Sequence, residues 1–462
     1  MDMDNEKFYA VRDSKIVIRK TKLLRFLENL GYRKLLTSTN DFELVKVSKG
    51  SIVEKGYDHM MATDIRKYLE EKDEERVFEE ILGKDYTSKS LLKNLKSVSI
   101  EFSQGNKNES IFFYKNGVVK ITADNYRIIP YDEYEGFLWK EQISERDFTP
   151  NSKYRSAAFA KFVYNLSGKD IERFKSLRSI IGYMLHSYKD QTFSPAVILL
   201  DEDVDVDNEE AKGGKGKSLL VEGIGKVVSY YFKDGKTLKN KNQFQFSGYQ
   251  RYQKIISFDD VNPNFDFESL FSVITGHFSL EKKYENEKII PFSESPKFII
   301  SSNYMLDGVR GYSSDRRKIE FEISSHYGRH LTPIEEFGCR FFDDWDIEEW
   351  SKFDSFMIMC AKEYLSSGLT IPQSINLVEN KLRKETHPKF IAFVKEEIKK
   401  SGRYNKKDLF EKFREQYRKE VFGVSPHQFT KWIRIWAEHN GHFYDIQKSN
   451  SKQYIEVKLK GN

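Results

Sequence analysis

The stretch of this sequence with the clearest chemical meaning is Ala211-Lys212-Gly213-Gly214-Lys215-Gly216-Lys217-Ser218. Closely spaced glycines let backbone N–H groups wrap an anionic phosphate chain, and a following helix N-terminus adds a favourable dipole. Leu219-Leu220-Val221-Glu222 reads as the start of such a helix. Here Gly213, Gly214, Lys215, Gly216, Lys217, Ser218 and Leu219 are the candidate cradle for ATP. Lys217 would reach the β- and γ-phosphates, and the Ser218 hydroxyl would bind Mg²⁺. Ala211 stands where the usual pattern has Gly, which bears on loop geometry. The competing reading of the segment is a flexible glycine–lysine linker.

Two carboxylates follow on a second element. Lys254-Ile255-Ile256-Ser257-Phe258-Asp259-Asp260 has the pattern of a buried strand that ends in acids. Beside a phosphate loop, such acids hold Mg²⁺ and polarise an attacking water. A third apolar run, Lys297-Phe298-Ile299-Ile300-Ser301-Ser302-Asn303, ends in an amide that could meet the γ-phosphate or orient that water. Further on, Asp315-Arg316-Arg317-Lys318 precedes a strand-like run, so Arg316 or Arg317 is a candidate for stabilising transition-state charge. The alternative for that pair is a charged surface cluster.

These residues need a parallel sheet with helical crossovers to bring them together. The phosphate loop follows a strand, Ala196-Val197-Ile198-Leu199-Leu200, after the acidic run Asp201-Glu202-Asp203-Val204-Asp205-Val206-Asp207. That run lacks the Gly and Glu of a calcium loop and reads as a solvated loop. Between the second and third strands, Phe278 to Phe292 reads as a β-hairpin whose turn is basic and aromatic-tipped, with Lys282, Lys283, Tyr284 and Lys288. Residues 1–145 read as an α+β accessory module, with helical spacing over Thr21–Leu30 and strands near Phe42–Val47, Ser110–Tyr114 and Val118–Ile121. Residues 146–190 read as a helical segment with Phe159, Phe162 and Val163 on one face. The catalytic core spans 191–330, a helical extension 331–384, and a last module 385–462.

The last module reads as three helices followed by a strand pair, the order of a winged helix. Phe429, Trp432, Ile433 and Trp436 fall on one face of its third helix, capped by Ser425. His427, Lys431 and Arg434 lie off that apolar stripe, and Lys448 and Lys452 sit in the basic wing; all five are candidate contacts to DNA. Charge supports this. From Lys381 to the end the chain carries +10, against +5 for the whole, so the remainder is mildly acidic.

Composition bounds the rest. At 462 residues, 39% hydrophobic and 15% aromatic with 10 prolines, the chain argues for two or more packed domains rather than disorder. Cys339 and Cys360 are too few for a disulfide framework or a four-cysteine zinc site. No apolar run is long enough for a membrane span, and Met1-Asp2-Met3-Asp4 is not the start of a secretory signal. The expected location is the cytoplasm, of a bacterial host.

The ordered set from Gly213 to Asn303, namely phosphate loop, Asp-Asp strand, lysine-bearing hairpin and Asn-ended strand, resembles the superfamily 3 helicases, hexameric AAA+ motors of viruses and mobile elements. Leu280-Glu281-Lys282-Lys283-Tyr284 is similar to the DNA-gripping hairpin of the polyomavirus large T antigens, and Phe258-Asp259-Asp260-Val261 to their acid-bearing strand. The flanks look more loosely like phage and mobile-element primase-helicases. The resemblance implies an α/β fold with an AAA+ P-loop core. It implies Mg²⁺ on Ser218, Asp259 and Asp260, a sensor role for Asn303, and an arginine acting in trans on the neighbouring subunit. It implies a ring, an oligomerisation collar in 146–190, single-stranded DNA through the ring, and a primase or another replication protein as a further partner. Two other functions stay open: a DNA-binding initiator that uses ATP as an assembly switch, and a primase-helicase, although 1–145 shows no primase carboxylate set.

Overall fold

Three apolar runs that end in polar side chains become neighbouring strands of one sheet. In the computed structural model these are Ala196–Asp205, Ile255–Asp259 and Lys297–Tyr304, joined by Tyr230–Asp234 and Lys318–Ile323. Across the sheet the order is Tyr230–Asp234, Ile255–Asp259, Lys297–Tyr304, Ala196–Asp205, Lys318–Ile323, with every neighbouring pair parallel. The structure describes residues 7–12, 15–36, 42–48, 51–82, 86–205, 213–238, 244–283, 287–306, 314, 316–449 and 452–460.

Parallel strands need long crossovers, which cover both faces, so their sequences are continuously apolar. Alternation sends Val197 and Leu199 to one face and Ile198 and Leu200 to the other. Registers such as Val197 opposite Ile299 and Ser257 opposite Ile299 line up the strands' C-terminal ends along one edge. In open α/β sheets that edge is where ligands bind.

On the first face lie the helices Ala158–Leu166, Ile171–Leu185, Lys217–Gly225 and Ile347–Ser367. Phe159, Phe162 and Val163 do share a buried face, and all three are fully covered. They pack with Leu177, Val197, Leu220 and Phe353 inside the chain. On the second face Phe246, Tyr249 and Phe267 pack against the hairpin strands Phe278–Leu280 and Lys288–Ile290.

The N-terminal region holds the expected helix, Lys20–Asn29, and a five-stranded sheet ordered Leu138–Trp139, Ile52–Lys55, Phe42–Val47, Tyr32–Leu36, Ser97–Val98. Its three-stranded sheet, Glu109–Tyr114, Gly117–Thr122 and Tyr126–Ile129, reaches into the core of the parallel sheet: Phe112, Tyr114, Val119 and Ile121 share the core of the first face. Arg146 clamps this join. Its guanidinium donates to both oxygens of the buried Asp354 carboxylate at 2.8 and 2.6 Å, and Tyr114 donates to the same group at 3.0 Å.

Beyond Ile347–Ser367, the helix Leu377–Glu385 bridges to the last module, with Leu377 in the second-face core and Leu382 in the C-terminal one. There the helices Pro388–Glu397, Lys406–Gln416 and Pro426–His439 pack on the strands Phe443–Ser449 and Lys452–Lys458. A short strand, Gly402–Asn405, not anticipated from the sequence, pairs with Lys452–Lys458 and completes a three-stranded sheet. Among the described residues no helix is long and apolar enough to cross a membrane.

Candidate functional site: the glycine loop and the acid edge

Gly214 and Gly216 have φ of +88° and +100°, a region that a side chain strongly disfavours. At Gly216 a Cβ would also press to 3.0 Å on Phe162 and Leu166, so the loop is folded tightly onto the helix before it. Gly216 caps the helix Lys217–Gly225. Gly213 and Gly214 are exposed, whereas Lys215 and Lys217 point inward and are 8% and 7% exposed. Leu219 is half-buried against the first-face core. Ala211 and Lys212 lie outside the described residues.

The predicted polar residues converge. Lys217 Nζ donates to Asp201 Oδ1 at 2.6 Å and to Asn303 Oδ1 at 2.7 Å. Asn303 Nδ2 donates to Asp260 Oδ1 at 2.7 Å, and the other Asp260 oxygen is 2.5 Å from Lys236 Nζ. Ser218 Oγ donates to the Asp259 carboxylate, 3.1 Å from each oxygen. Asp260 itself sits at φ +55°, a strained setting for a residue with a Cβ. Ser301 stabilises that turn: its hydroxyl accepts from the Asp260 N–H at 2.9 Å and donates to Asp259 at 2.6 Å.

Four participants were not foreseen. Ser301 lies two residues before Asn303 on the same strand face, a position that alternation alone could have flagged. Lys236 follows the edge strand Tyr230–Asp234, whose mixed polarity gave no pattern to read. Asp201 and Asp203 belong to the run taken for a solvated loop. The strand in fact continues through Asp205, burying Asp201 to 3% exposure, and Lys215 Nζ reaches Asp203 at 3.1 Å and Ser325 Oγ at 2.9 Å. Burial raises the Asp201 carboxyl above the usual carboxylate range, and the Lys217 ammonium partly offsets it.

Next to Ser218 and Asp259 opens a cleft of about 320 Å³, lined also by Glu222, Tyr230, Phe232 and Ser257. A hydroxyl and one carboxylate suit Mg²⁺, which keeps several waters and completes its shell from phosphates. Asp260 fits a metal less directly, since both its oxygens already meet nitrogen donors. Among the described residues no cluster of three or more His, Cys, Asp or Glu could hold a metal by itself.

The remaining candidates lie apart from this cluster. Arg316 is exposed, whereas the Arg317 guanidinium covers the Phe271 ring at 4.7 Å. At the hairpin turn Lys283 is exposed and Lys282 half-buried; Tyr284 lies outside the described residues. Lys288 turns to Glu43 of the N-terminal sheet at 3.2 Å. On Pro426–His439, His427, Lys431 and Arg434 form an exposed stripe, while Trp432 and Trp436 are buried in the core. Lys448 and Lys452 are exposed beside the hairpin tip.

A parallel sheet in which a strand leads to a glycine loop and a helix is the arrangement of the P-loop class. No family model matches the chain, and no curated protein matches it. Among solved structures, the apo A form of the NrS-1 C-terminal region is similar over 95% of this chain and 99% of that one, at 14% identity and a TM-score of 0.43. A second structure of that region gives 15% identity, coverages of 95% and 98%, and a TM-score of 0.42. The JCV helicase bound to a small acetamide compound is similar over 62% of this chain and 66% of that one, at 13% identity and a TM-score of 0.26. Likeness at this level leaves function to be argued from the site itself.

Proposed function

We propose that this chain is an ATP-dependent DNA helicase, a ring-forming motor of the superfamily 3 kind that serves replication of a phage or mobile element. The observation that carries this reading is the convergence of Lys217, Ser218, Asp259, Asp260 and Asn303 at one sheet edge, each within hydrogen-bond distance of another of them. Such a set has the parts that phosphoryl transfer to water requires.

In this reading Lys217 pairs with the β- and γ-phosphates, and the loop N–H groups hold the chain of phosphates. Ser218 and Asp259 would hold Mg²⁺, which would supply charge neutralisation for phosphoryl transfer. Asp260 orients the attacking water and takes its proton as the new O–P bond forms and the bond to the β–γ bridging oxygen breaks. Asn303 fixes the Asp260 carboxylate and touches Lys217, so it senses both groups. Arg316, being exposed, is the arginine that serves a neighbouring subunit's nucleotide, and Arg317 is a packing residue. Lys283 and Tyr284 grip single-stranded DNA, and the basic C-terminal module, in winged-helix order, holds duplex through His427, Lys431, Arg434, Lys448 and Lys452.

The test is strand displacement on a forked duplex by the wild type and by Lys217→Ala. The wild type should unwind with ATP, and the variant should lose both hydrolysis and unwinding. Hydrolysis at near wild-type rate in Lys217→Ala would remove the loop assignment. Hydrolysis without unwinding in the wild type would favour the ATP-switched initiator.

A further inference from the structure

Two lysines of the phosphate loop, Lys215 and Lys217, are already paired with the chain's own carboxylates. Asp201 and Asp203 stand two residues apart on one strand, and Lys215 and Lys217 stand two apart on the loop. They pair as Asp201 with Lys217 at 2.6 Å and Asp203 with Lys215 at 3.1 Å. Three of the four side chains are almost wholly removed from solvent, at 3%, 7% and 8% exposure for Asp201, Lys217 and Lys215. Two cations buried this deeply without counter-charge would be very unfavourable. The carboxylates therefore meet a need that incoming phosphates would also meet.

We propose that Asp201 and Asp203 are an internal phosphate mimic. They hold Lys217 and Lys215 in a nucleotide-ready loop, and a polyphosphate binds by displacing them. This rests on the reading of the loop as a nucleotide site and adds a control on its affinity. Each phosphate oxygen that reaches Lys217 must compete with the Asp201 carboxylate and then sits beside its charge. Binding is accordingly weaker than Lys215 and Lys217 alone would give, and a weakly charged ligand competes poorly. Asp203 Oδ1 is buried without a hydrogen-bond partner among the described residues, so this carboxylate is the easier of the two to displace. Both are positioning residues, since they act through the lysines.

The competition makes a prediction opposite to that of a merely structural role. A structural lesion next to the loop weakens ligand binding; removal of a competitor tightens it. The experiment is equilibrium binding of a fluorescent ADP to the full chain, without Mg²⁺, for the wild type, Asp201→Asn and Asp203→Asn. Thermal melts of the ligand-free proteins run alongside. We expect tighter ADP binding in both variants, by about 10-fold for Asp201→Asn, within the roughly 5–150-fold range by which one interaction commonly alters the affinity of another in a protein. Asp201→Asn should also lower the ligand-free melting temperature, because Lys217 loses its counter-charge. If Asp201→Asn fails to fold, the half-buried Asp203→Asn decides by itself. Unchanged or weaker ADP binding in folded variants, beside a wild type that binds, overturns this proposal and leaves the nucleotide site standing. A wild type that binds no ADP overturns both.

Discussion

Asp260 combines a backbone conformation unfavourable to side chains with a carboxylate held on both sides, by Asn303 and by Lys236. Strain of this kind persists where surrounding contacts over-determine it, and Ser301 supplies two of those contacts. Asp260→Asn keeps the shape and removes the base, so nucleotide should still bind while turnover falls, by about 10²-fold or more. Nucleotide binding and single-turnover hydrolysis measure the two halves separately; turnover at the wild-type rate would leave Asp260 a structural role. Lys217, Ser218, Asp259 and Asn303 were legible in the sequence because each has a chemical type suited to phosphate at the end of a recognisable strand or loop. Ser301 was within reach of strand alternation from Asn303, whereas Lys236 and Asp201 were not legible, because a lysine and an aspartate acquire meaning here only through what the fold sets beside them.

At the scale of elements, continuous apolar runs made three sheet strands readable, since burial on both faces leaves no other composition available. The edge strand Tyr230–Asp234 escaped because one side of it meets solvent: Phe232 is 54% exposed, and its sequence mixes aromatic with charged residues. Gly402–Asn405 escaped for a related reason, being four residues with a glycine and an arginine that gain strand form from pairing with Lys452–Lys458. The segment after Asn303 separates the two arginines by environment. Arg316 faces solvent, and Arg317 lies on Phe271. Arg316→Ala should therefore keep nucleotide binding and lose about 10³-fold or more in turnover, as removal of a true arginine finger does. Mixing it with Lys217→Ala protein should restore part of the rate, because mixed rings contain intact interfaces. Arg317→Ala should instead lower the melting temperature. An unchanged rate in Arg316→Ala, or no rescue in rings shown to be mixed, would contradict action between subunits.

At the scale of the whole molecule, the regions are bound together by buried polar groups as well as by apolar packing. Lys189 bonds to Ser295 Oγ at 2.7 Å, and Lys297 bonds to the Tyr183 carbonyl at 2.7 Å, with no carboxylate hydrogen-bonded to either ammonium among the described residues. Burial brings the Lys189 ammonium down from 10.5 to about 7, and burial with the neighbouring Lys189 charge holds Lys297 well below its ordinary value. A lysine whose folded pKa lies below its unfolded value costs stability in full below the folded pKa, and the cost fades as pH rises toward 10.5. The protein should accordingly gain roughly 1–3 kcal/mol of stability between pH 7 and pH 9.5. Chemical denaturation at the two pH values measures this, and Lys189→Met should flatten the rise; an equal rise in the variant would assign it to other groups.

The boundary read at residue 145 rested on a change of pattern, which cannot register that Tyr114 and Arg146 meet on Asp354 far along the chain. Nor could sequence alone tie Lys288 of the hairpin to Glu43 of the N-terminal sheet. Those contacts join distant segments, and no local periodicity encodes them. They also place the hairpin, the proposed grip on DNA, against the accessory region. The measurement that tests the central claim most directly is steady-state ATP hydrolysis with and without single-stranded DNA, for the wild type and Lys283→Ala. DNA should raise the wild-type rate several-fold and leave the Lys283→Ala rate near its DNA-free level, with that DNA-free rate itself unchanged. Hydrolysis indifferent to DNA in the wild type would contradict a DNA-driven motor.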